Sequence, residues 1–192
     1  CVKDGSCKAP IYAKSSTQAC NWFAENNTFK PMNCLKWEDA KTFCSWQGKS
    51  LPTEAQWEKA ARGPDYNAAY PWGESIPNCS MAVLEEDPGK PGCGQNSSLD
   101  IGSKSGDASF YLVSDMGGNV SEYVSDWYDV KYYTDPEKSN PSGPGKGLAR
   151  VVKGGNWRSP PENAQISYRK AAAPDEWNDA TGMRCITLVK LN

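Results

Sequence analysis

Eight cysteines and no histidine limit the chemistry open to this 192-residue chain. A cysteine acts as nucleophile or soft metal ligand only as the free thiolate. The chain has no C-x-x-C pair, and no imidazole to complete a mixed zinc site. The cysteines therefore read as a disulfide framework. Nucleophilic catalysis at serine needs an adjacent base, and no motif supplies one. The neighbouring acids Glu85 and Glu86 lie in a turn-rich stretch and read as a solvated acidic turn. A different chemistry is offered by the run from Asp115 to Glu122. It presents oxygens at alternating positions around a Gly-Gly bend, groups of the hard-ligand kind. Its rival is a turn in which Asp115 caps backbone amides and Glu122 faces solvent.

Composition sets the frame that must hold these groups. Lysine plus arginine number 21 and aspartate plus glutamate 23, with no basic stripe, so nucleic acid is not an expected partner. No apolar run approaches 18 residues, so no membrane span is expected. Hydrophobic residues form only 38%, with 17 glycines and 14 prolines, which implies a compact core and many loops. Eight tryptophans supply large buried area to such a core. Cysteine usage points to an oxidising compartment, that is, a secreted, periplasmic or cell-surface location.

Periodicity predicts two helices. In the first, about 37–47, Trp37, Ala40 and Cys44 share a face, with Phe43 beside it and Gly48 as its stop. The second opens at Thr53, with Gln56 three residues on as a capping box, and ends at Gly63-Pro64. Trp57 in it is expected to face the core. Short strands are expected at Tyr111–Val113, Val120–Asp126, Arg150–Lys153 and Met183–Val189. Cys79 and Cys93 bracket a Pro/Gly-rich loop that a disulfide would compensate, and Cys1 to Cys7 reads as a small closed turn. Cys20 and Cys34 remain as a further possible pair, since spacing alone does not fix connectivity.

Five motifs then fall in order: LPTEAQWEKAARG at 51–63, YPWG at 70–73, DMGGNVSEYVSDWY at 115–128, RVVKGGNW at 150–157 and GMRC at 182–185. The series resembles the formylglycine-generating enzyme, or sulfatase-modifying factor, family. The resemblance implies an α+β fold, a C-type-lectin-like variant with two helices, several short strands and much irregular structure. It would form a single domain over 1–192 that lacks the family's N-terminal strand segment. It also implies a Cys44–Cys185 disulfide, and a calcium ion held by Asp115, the carbonyls of Gly118 and Val120, and Glu122. A second calcium site of the family does not carry over, because residues 80–100 diverge.

The family's oxidative chemistry uses either a copper-binding cysteine pair after the Gly-Gly-Asn-Trp motif or, in one branch, histidines on iron. The stretch from Trp157 to Ala173 has no cysteine and the chain has no histidine. The reading is therefore a non-catalytic binding or structural domain, a subunit or module of an extracellular assembly with a protein partner. Arg158, Trp177, Arg169 and Trp157 are its candidate contact residues, although Trp157 and Arg184 sit inside motifs that build the fold. An oxidase or modifying enzyme with an unrecognised centre is one alternative. A calcium-dependent lectin that binds glycan is another.

Overall fold

The structure is a computed structural model and describes residues 1–10, 19–22, 29–64, 67–134 and 139–187. Helix α1 spans Trp37–Trp46 and helix α2 spans Glu54–Arg62. Strands β1 (Ser121–Trp127), β2 (Arg150–Lys153), β3 (Arg169–Ala172) and β4 (Thr181–Met183) form one sheet in the order β3-β2-β1-β4. β1–β2 and β2–β3 are antiparallel, and β1–β4 is parallel.

Alternation along β1 and β2 explains why helices pack on both faces of this sheet. Tyr123 pairs with Val152, and both join Trp37, Ala40, Cys44 and Leu51 in the core beside α1. Val124 and Val151 belong to the second core, with Trp57, Ala61, Met116 and Ile166 beside α2. The edge of the first core is closed by a stack. The Arg150 guanidinium carbon lies 3.5 Å from the Trp37 ring centroid and 3.4 Å from that of Trp127. Its Nη1 donates to the Ser125 carbonyl at 2.8 Å.

The capping box of α2 is formed as the sequence requires. Thr53 Oγ1 accepts the Gln56 N–H at 3.1 Å, and Gln56 Oε1 accepts the Thr53 N–H at 2.8 Å. Thr53→Ala should cost about 1 kcal/mol in urea unfolding, with Thr53→Ser restoring most of it. Equal loss in both variants would show that the hydroxyl is not the cap. At α1, Asp39 accepts the Lys36 N–H at 3.0 Å, and Gly48 takes φ +69° just past the end.

All eight cysteines are paired, as Cys1–Cys7, Cys20–Cys34, Cys44–Cys185 and Cys79–Cys93. Three bonds close short loops. The fourth spans 141 residues and fastens α1 to the segment after β4.

Two strand expectations need correction. Tyr111–Val113 is a turn, in which Leu112 has φ +60° and donates to the Ser109 carbonyl at 2.8 Å. No strand among the described residues partners it, and Phe110 and Leu112 are exposed. The last strand is shorter and earlier than expected, and Ile186 forms only an isolated bridge to Ser50. Residues 188 and 189, the end of that expected strand, lie outside the described residues. β3 had no sequence expectation, because Lys170 and Ala171 are exposed on an edge and give no alternating signal.

Candidate functional site

The stretch around Trp157 and Arg158 is tied together by its own polar groups. Trp157 is 3% exposed, and its indole donates to the Asp179 carbonyl at 2.9 Å. It packs with Val83 and Ala180, which corrects its reading as a contact residue. Beside it, Asn156 Nδ2 donates to Ser121 Oγ at 2.9 Å, and Ser121 donates to the Gly154 carbonyl at 3.0 Å. Arg158 remains exposed, lies 4.2 Å from the Trp157 ring centroid and pairs with Asp179 at 2.7 Å. Trp177 is half-buried.

Arg169 belongs to another cluster. It pairs with Glu54 at 2.8 Å, donates to the Asp129 carbonyl at 3.0 Å and lies over the rings of Tyr128 and Tyr133. Glu54 and Glu58, one helical turn apart on α2, both meet the fully buried Lys153, at 3.5 Å and 2.6 Å. Burial raises the Glu54 carboxyl, and Lys153 and Arg169 pull it back. Glu54, Glu58, Arg62, Tyr133, Ser167 and Arg169 line a cleft of about 460 Å³. Sequence reading missed this network. The i,i+4 carboxylates within 51–63 were its available signal.

The third cluster surrounds Arg184. Its guanidinium grips Glu122 with two bonds of 2.6 Å and donates to the Ser114 carbonyl at 3.0 Å. The Trp57 indole also donates to Glu122, at 2.6 Å. Glu122 is thus buried and does not face solvent. Asp115 takes φ +60° and accepts the Gly102 N–H at 2.7 Å, while its own N–H donates to Asp107 at 2.8 Å. Asp107 is 1% exposed, and its Oδ1 has no partner. Burial, together with the Asp115 carboxyl beside it, pushes Asp107 up to about 7. Nothing in the sequence marked Asp107, an isolated acid in a loop.

The model of the sulfatase-modifying factor enzyme 1-like domain matches residues 6–189. The chain belongs to that family. The serine/threonine-protein kinase pkn1 of Chlamydia caviae is 33% identical over 83% of this chain and 24% of its own length. The formylglycine-generating enzyme of Thermomonospora curvata is 31% identical over 81% of this chain and 54% of its own. The inactive C-alpha-formylglycine-generating enzyme 2 of Bos taurus is 30% identical over 81% and 49%. This family domain thus spans about a quarter of the kinase and about half of the formylglycine-generating enzymes it matches. Among solved structures, PvdO of Pseudomonas aeruginosa superposes with a TM-score of 0.64 at 25% identity, over 81% of this chain and 60% of that one.

The Asp115 loop, where the sequence suggested calcium, gathers acidic groups around a guanidinium. Arg184 is one positive group against Glu122, Asp115 and Asp107. Among the described residues no three acid or cysteine side chains converge as a metal cluster, so carbonyl oxygens would have to complete the shell. A carboxylate offers roughly four acceptor sites, and Glu122 already receives three N–H groups.

Proposed function

We propose that this domain acts by binding rather than by thiolate-metal oxidation. In this reading it is a structural or recognition module of an extracellular assembly, stabilised by disulfides and by calcium. One observation carries the reading: every cysteine of the chain is consumed in a disulfide. A disulfide sulfur cannot act as a thiolate ligand to Cu(I). With no histidine either, the chain lacks both donor types that the family's metal oxidations use. The relative named inactive, and the domain's small share of a kinase chain, are consistent with a family that also serves outside catalysis.

Calcium would be held by Asp115, the carbonyls of Gly118 and Val120, and one remaining acceptor site of Glu122. The ion would supply charge compensation beside Arg184. Four disulfides favour a secreted, periplasmic or cell-surface location. No helix among the described residues is long and apolar enough to cross a membrane. The contact surface would include Arg158, whose guanidinium is exposed over Trp157, with Trp177 beside the same region of sequence and a protein or glycan as its partner.

Thiol titration of the unreduced, denatured protein should return no free thiol. The native protein, given Cu(I), oxygen and a cysteine-containing peptide, should consume no oxygen above the peptide blank. Stoichiometric copper with peptide turnover would overturn the reading.

A further inference from the structure

We propose that the turn Phe110–Leu112 is a knob that seats in the apolar cavity beside α1 of a second copy of this chain. This extends the binding role proposed above, on which it rests, by naming the partner. The turn is shaped to project. Its neck is closed by the Ser109 N–H on the Val113 carbonyl at 3.0 Å and by the Val113 N–H on Ser109 Oγ at 3.3 Å. The Phe110 and Tyr111 rings meet edge to face at 5.2 Å, which holds them in one arrangement. Phe110 is 67% exposed and Leu112 83%. Leu112 at φ +60° holds a conformation that glycine or asparagine takes at less cost. The backbone is thus strained where it presents an apolar side chain to water, and clustered apolar surface of this kind marks contact sites.

The cavity is the matching hollow. It measures about 580 Å³ and lies between α1 and the Cys1–Cys7 turn. The Trp46 indole pins that turn by donating to Asp4 at 2.8 Å, so the hollow is preformed. Trp22 and Phe43 wall it, and Met32 and Met183 line its core side. Methionine adapts its shape to an incoming aromatic ring. Charge matches as well. Glu38 and Asp39 line the cavity against one basic side chain, Lys8. On the knob side, Phe110 packs on Gly63, where a β-carbon would fall 2.5 Å from its own, and Lys59 donates to the Gly63 carbonyl at 3.1 Å. An ammonium group thus stands beside the knob and two carboxylates beside the hollow, the complementarity that orients a contact. The two surfaces cannot meet within one copy. The cavity adjoins the core beside α1, whereas Val113 anchors the turn to the core beside α2, on the opposite face of the sheet. The contact is therefore head to tail, and copies add in a row unless the rotation closes a ring.

The test is sedimentation equilibrium of the whole chain over a range of concentrations, with circular dichroism to check each fold. The wild type should grow past a dimer as concentration rises. Leu112→Gly relieves the strained φ, and Thr42→Arg fills the hollow from α1. Each should weaken association at least about tenfold. Mixed in equal amounts, the two variants should stop at a dimer, because one supplies the intact hollow and the other the intact knob. If Thr42→Arg fails to fold, Glu38→Lys at the exposed rim replaces it. A wild type that stays monomeric, or a wild-type dimer that neither variant weakens, overturns the contact. So does a monomer that binds phosphatidylglycerol vesicles through Leu112, which would make the knob a lipid anchor. Each of these outcomes leaves the binding role standing, since copper and oxygen uptake decide that.

Discussion

Replacing Cys44 and Cys185 together by alanine should lower the stability of the domain by about 5 kcal/mol, the chain-entropy value for a loop of this size. The bond closes 141 residues, so the unfolded chain gains far more freedom on its loss than on loss of a local pair. Native packing adds to the cost. Cys44 is fully buried among Leu35, Trp37, Ala40 and Leu51, with Cys185 and Met183 against them. For a domain of this length the melting point should fall by roughly 10–20 °C. The comparison is Cys1→Ala with Cys7→Ala, whose bond spans six residues and closes a surface turn. Calorimetry on both double variants decides the matter. Equal shifts would mean that the long bond is no clamp and that residual structure in the unfolded chain already holds the two segments together.

Arg184→Met carries the second large effect, a loss of about 3–5 kcal/mol. The methionine keeps the apolar stem but removes every donor. Glu122, 4% exposed, would retain only the Trp57 indole, and the Ser114 carbonyl would lose its partner. Asp107 and Asp115 would lose the one guanidinium that offsets their charge. The expected signature is non-additivity. Arg184→Met with Glu122→Leu should be more stable than Arg184→Met alone, because Glu122 is then no longer a stranded buried carboxylate. Urea unfolding of the four-member cycle measures it. A single-variant loss below about 1 kcal/mol would place this pair with ordinary surface ion pairs.

Local elements were legible wherever one segment carries its own signal. Thr53, Gln56 and Gly63 marked both ends of α2, and the Trp37, Ala40, Cys44 face marked α1. The Asp115 to Glu122 run was legible as oxygen-rich, but the fate of Glu122 was not. Its partners Trp57 and Arg184 lie 65 and 62 residues away in sequence, and no local pattern announces them. Tyr111–Val113 misled because aromatic and branched residues satisfy strand propensity without a neighbour to pair with. Trp157 could be read either way from composition. Its burial is set by Val83 and Ala180, which come from distant loops. β3 was invisible because an exposed edge strand needs no apolar alternation.

The 141-residue bridge also fixes how the domain would answer tension. A pull applied outside Cys44 and Cys185 is carried through the sulfur–sulfur bond and bypasses everything between them. At about 3.5 Å per residue, roughly 490 Å of contour stays hidden until that bond is cut. The attachment of α2 to the sheet, the Arg184 cluster and the Asp115 loop would therefore sit behind a mechanical shunt. A reductant, rather than force alone, would be the agent that lets the domain lengthen.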